Sequence, residues 1–163
     1  MFDSIDLLPI HGIRCIVQSG NKERFVYHFR ECWRRMPNSA KKGITDFWKE
    51  SRGGLGPLIV LSKDWESSTE SFAQVTLGGT EMSFCAADFA LIPEGISQCI
   101  IARALACVFQ HATAGKNKNV PQREEEADEI AESWGFDMFT CNYFRTVAGT
   151  TREGLIAACK QFL

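Results

Sequence analysis

Arg103, Cys107 and His111 stand four residues apart in the segment 96–115, ISQCIIARALACVFQHATAG, a spacing that one helical face would share. Between Glu94 and His111, Arg103 is the single formal charge. An arginine taken out of water needs an anion and hydrogen bonds in place of its hydration, so the segment predicts a carboxylate nearby. The alternative is an arginine whose stem packs while its head reaches water. Cys107, His111 and Glu126 together offer a sulfur, a nitrogen and an oxygen, ligand types that zinc accepts. Against that metal set, Arg103 would put a positive charge beside the cation, and the helix carries no carboxylate to act as a base. Without a metal, Cys107 reads as a small buried hydrophobe. The acidic run Glu124, Glu125, Glu126, Asp128, Glu129 and Glu132 is the ordinary complement to a helix dipole. His11 and His28 have no evident partners, and neither a Ser-His-Asp pattern nor a phosphate-binding glycine loop is present.

These side chains depend on the elements that carry them. The segment 96–115 is apolar on every face, which predicts a helix in the middle of a domain, opened by Pro93. Upstream, Phe25, Phe29, Cys32, Trp33 and Met36 trace one face of a helix over residues 21–36 that ends at Pro37. A second helix, capped by Asn38 or Ser39, carries Ile44, Phe47 and Trp48 and closes at Gly53 and Gly54. Residues 58–61 read as a buried strand and residues 63–71 as a loop. Ala73, Val75 and Leu77 alternate with polar residues before the Gly78–Gly79 turn, and Met82 and Phe84 resume the alternation, which predicts a hairpin. A short strand over residues 89–92 is a further expectation. Residues 114–122 read as a loop, and residues 124–134 as a helix with Ala127, Ile130, Ala131 and Trp134 on one face. Thr150 with Glu153 is a capping-box candidate for a terminal helix bearing Leu155, Ala158, Cys159 and Phe162. Helices, a small sheet, a central helix and more helices make an α+β arrangement.

Over residues 80–137 this layout resembles the compact zinc peptidases of the zincin class, specifically the gluzincins. The resemblance is strongest in LACVFQHATAG followed by EEEADEIAESWGFD. That family reads HExxH on its central helix, where two histidines one turn apart bind zinc and the glutamate activates the metal-bound water. The resemblance places the HExxH positions on Arg103, Ala104, Leu105, Ala106 and Cys107. Arg103 then stands for the first histidine, Ala104 for the general base and Cys107 for the second histidine. The third-ligand position falls on Glu126. What the resemblance implies is a zincin-like α+β fold, a small antiparallel sheet packed on a central active-site-type helix, in a pseudo-metallopeptidase without zinc or another cofactor. An Arg103–Glu126 ion pair would link the helices where the metal stood. The residual groove would bind a protein or peptide segment by strand addition, with residues 80–90 as the edge and Met82 and Phe84 as contacts. The alternative is a hydrolase or metallopeptidase with a rewired metal site of Cys107, His111 and Glu126.

A chain of 163 residues with 45% apolar content suits a single domain, 1–163. A net charge of -2 and a pI of about 5.9 give no basic face for nucleic acid. The cluster Arg34, Arg35, Lys41 and Lys42 reads as a solvated helix surface. Seven cysteines, an odd number without a CxxC pair, suggest reduced thiols in the cytoplasm. The N-terminal residues lack the pattern of a secretory signal, and no run has the eighteen or so apolar residues a membrane span needs.

Overall fold

The computed structural model describes residues 6–10, 13–17, 22–51, 58–62, 73–76, 79–85, 89, 91–113, 120–149 and 151–162. The elements are β1 (Asp6–Ile10), β2 (Ile13–Val17), α1 (Lys22–Arg35), α2 (Asn38–Ser51), β3 (Leu58–Ser62), β4 (Ala73–Thr76) and β5 (Glu81–Cys85). Four helices follow: α3 (Glu94–Ala112), α4 (Val120–Ser133), α5 (Met138–Ala148) and α6 (Arg152–Gln161).

On α1, Phe25, Phe29, Cys32 and Trp33 recur at helical spacing, and all are buried, as is Met36 just beyond the helix. Arg34 and Arg35 end α1, where positive charge suits the dipole. Ala40, Ile44 and Trp48 form the inner stripe of α2. These two helices are the crossover that lets β3 lie parallel to β2, a pairing no tight turn can make. The strand order is β1-β2-β3-β5-β4, with β2–β3 and β3–β5 parallel and the outer pairs β1–β2 and β4–β5 antiparallel. The expected α+β fold with a small antiparallel sheet is therefore overturned. Helix predominates, and the strands make one mixed sheet with a parallel centre. Alternation reveals a local hairpin, whereas a parallel partner arrives from a distant part of the chain.

Helix α3 touches α1, α2, α4, α5 and β4, and most of its residues are buried whichever way they face. Phe25 joins α1 to the sheet, its ring centroid 4.8 Å from that of Phe84 and 5.4 Å from that of Phe89. Trp48 Nε1 donates to the Gly79 carbonyl at 2.7 Å, tying α2 to the turn before β5.

Several local expectations need correction. Residues 89, 91 and 92 form no strand. Helix α4 begins at Val120, with Pro121 in its first turn, where a missing N–H costs nothing. Helix α5 had no sequence expectation. It is capped by Asp137, whose carboxylate accepts from Thr140 N at 3.0 Å and Thr140 Oγ1 at 2.6 Å. The cap of α6 is Thr151, whose hydroxyl accepts from Gly154 N at 3.0 Å. Thr150, the loop over residues 63–71, Gly53, Gly54, Leu77, Gly78 and residues 114–119 lie outside the described residues. No described helix is long and apolar enough to cross a membrane.

Candidate functional site

The inner face of α3 opens on a cavity of about 230 Å³ lined by residues of β4, α3, α4 and α5. Helix α3 contributes Arg103, Ala104 and Cys107 to the wall at intervals of one and three residues, and Gln110 and His111 one turn further on. Ala73 and Val75 line it from β4, Arg123 and Glu124 from α4, and Cys141 and Arg145 from α5. Three positions singled out in the sequence thus meet at one cavity, and His111 joins them.

The arginine meets its carboxylate, though not the expected one. Arg103 Nε donates to Asp128 Oδ1 at 2.8 Å, with the two side chains 16% and 25% exposed. Asp128 replaces Glu126 in the proposed link between the helices. At about 100° per residue, Glu124, Ala127, Asp128 and Ala131 cluster on one face of α4, whereas Glu126 lies about 200° round from Glu124. Glu126 is not among the cavity-lining residues, and Glu124 is. The periodicity of Ala127 and Ala131 already carried this signal, which the alignment to a family motif obscured.

Asp128 is the hub of a longer network. Its Oδ2 accepts from Asn142 Nδ2 at 2.9 Å, and Asn142 Oδ1 accepts from Arg145 Nη1 at 3.3 Å. Arg103, Asp128, Asn142 and Arg145 therefore bind α3, α4 and α5 together around the cavity. Burial, followed by the positive charge of Arg103, pushes the Arg145 guanidinium down from its ordinary value. From α3, Gln110 Nε2 donates to the Arg123 carbonyl of α4 at 2.6 Å, while Arg123 Nε is buried with no hydrogen-bond partner.

No family model, curated protein or solved structure matches the chain. The chemistry of the site rests on its own side chains.

Burial pushes the Cys107 thiol up from its ordinary value, outweighing the opposing pull of Arg103. The nearby Cys141 thiol is pushed up to about 12, again by burial first. A neutral thiol is a poor nucleophile, so neither cysteine is poised for covalent catalysis. Among the described residues no group of three or more His, Cys, Asp or Glu side chains is placed to hold a metal ion. The rewired set of Cys107, His111 and Glu126 is thus not assembled. His111 packs under the turn, where a Cβ added at Gly79 would lie 3.0 Å from His111 Cβ.

The expected contact residues also move. Met82 and Phe84 are 0% and 1% exposed on β5, which is paired on both sides, so their side chains lie in the core. Among the described strands, the edge beside the cavity is β4. Sequence reasoning missed Asp128, Asn142, Arg123, Glu124 and Arg145 because each acquires its role only when α4 and α5 close on α3.

Proposed function

We propose that this chain is a non-catalytic binding protein that holds an extended segment of a protein or peptide partner along β4, over the α3 cavity. One observation carries the reading: β4, an edge among the described strands, and Arg103, Ala104 and Cys107 line the same cavity. An edge strand presents unpaired backbone N–H and C=O groups that an incoming strand can use, and an adjacent pocket selects among side chains. Ala104, where the resembled peptidases carry their base, is buried and has no group to activate water.

Selection of random nine-residue peptides on the protein provides the test. Binders should lose at least tenfold in affinity when alternate backbone nitrogens of the peptide are methylated, because an added strand pairs with the edge through its own N–H groups. A selection that yields no binders, or binders indifferent to this change, would sink the reading.

A further inference from the structure

The charges around the cavity do not cancel. Arg103, Arg123 and Arg145 line it, against Glu124 on the wall and Asp128 bound to Arg103. Three positive and two negative groups leave one positive charge, with His111 counted as neutral. Arg103 is matched by Asp128, and Arg145 reaches only the neutral amide oxygen of Asn142 at 3.3 Å among its described hydrogen bonds. Arg123 presents a buried Nε with no partner. No described ion pair matches Arg123 either, so its charge and that of Arg145 act on whatever enters the cavity they line.

Size and charge narrow the ligand. A volume of about 230 Å³ lies below the ~300–1,000 Å³ of pockets that enclose drug-sized molecules. It suits one end of a larger ligand. A single residual positive charge matches a monoanion better than a doubly charged phosphate. The flat fork of a guanidinium matches the two oxygens of a carboxylate.

We propose that the cavity is a carboxylate-binding site in which Arg123 and Arg145 receive the side-chain or terminal carboxylate of the segment lying along β4. The peptide-binding reading supplies the way the carboxylate arrives, and the charge and shape of the cavity stand apart from it. Glu124, exposed at the rim, opposes a second negative charge.

Calorimetric titration with four probes tests the site: N-acetylglutamate α-amide, N-acetylalanine, N-acetylglutamine α-amide and inorganic phosphate. At least one of the two carboxylate probes should bind tenfold or more tightly than the neutral glutamine amide, and tighter than phosphate. The first probe reports a side-chain carboxylate and the second a terminal one. Arg123→Gln and Arg145→Gln should each weaken that binding at least tenfold with the thermal midpoint recorded alongside. Glu124→Gln, at an exposed position, should strengthen it severalfold, a gain that damage to the fold cannot mimic. Carboxylate probes no better than the neutral amide, tighter binding of phosphate, or no change in Arg123→Gln would overturn the site. Two further outcomes separate the two proposals. Selected peptides that show no preference for glutamate over glutamine, yet weaken on backbone N-methylation, leave strand addition standing and remove the carboxylate site. Peptides insensitive to N-methylation, with carboxylate probes still binding, do the reverse.

Discussion

Arg103 and Asp128 show how a single charge organises its surroundings. Their pair is mostly shielded, so removing one member leaves the other short of both water and partner. Asp128→Ala should lower stability by about 2–3 kcal/mol in denaturant titration, since hydrogen bonds to charged groups contribute about 1.5–3 kcal/mol. The double variant Arg103→Met with Asp128→Ala should recover part of that loss, and strict additivity would argue against the pair as the link. His28 makes a second residue-scale prediction. It is 2% exposed with both ring nitrogens unpartnered, and burial, then Arg24, pushes its pKa down while Glu94 opposes. The unfolded chain therefore takes up the proton more readily than the folded one below the ordinary histidine value of about 6.5. Stability should be fully present above that pH and fall as pH drops beneath it. Thermal midpoints measured from pH 8 to pH 5 should decline, and His28→Leu should flatten the decline. That Arg103 needs an anion was legible from the sequence. Which carboxylate supplies it was not, because the choice depends on how α4 is rotated against α3.

At the scale of elements, the legible parts are those whose own side chains show a period. Phe25, Phe29, Cys32 and Trp33 announce α1, and the alternation through Ala73, Val75, Met82 and Phe84 announces the β4–β5 pairing, with Val75 opposite Met82 and Ala73 opposite Phe84. The place of that hairpin in the sheet was not legible. Inserting β5 between β3 and β4 buries Met82 and Phe84 and leaves β4 at the edge. Helix α5 was illegible for another reason: MFTCNYFRTVA is rich in aromatic and β-branched residues, whose helix propensity is weak. Its boundaries come from the Asp137 cap and from Gly149 at φ 62°. The turn before β5 is under the tightest constraint. Gly79 has φ 94°, its carbonyl accepts from Trp48, and His111 lies against it. Gly79→Ala should cost about 1–3 kcal/mol, the usual range for a strained backbone position, with crowding against His111 adding to it. Thermal unfolding measures the loss, and a neutral effect would mean that the turn relaxes freely.

The whole molecule brings β4, α3, α4 and α5 around one cavity, and the resemblance to gluzincins makes a prediction at that scale. The triple variant Arg103→His, Ala104→Glu and Cys107→His restores the HExxH pattern, and Glu124 is the cavity-lining carboxylate of α4 that could complete a ligand set. Elemental analysis of the purified variant should find stoichiometric zinc, with the parent chain measured alongside as the control. Failure to bind zinc in a folded variant would count against the alignment of α3 with the family's central helix. By itself, the sequence determined which segments are amphipathic, which helix is central and which of its residues carries an unmatched charge, because these follow from the local periodicity of side chains. Only the tertiary structure decided that Asp128 answers Arg103, that β4 is the edge beside the cavity, and that Arg123 and Arg145 join Arg103 around that cavity. Such relations depend on the register and rotation of elements far apart in the chain, set by packing across the whole core rather than by any local pattern.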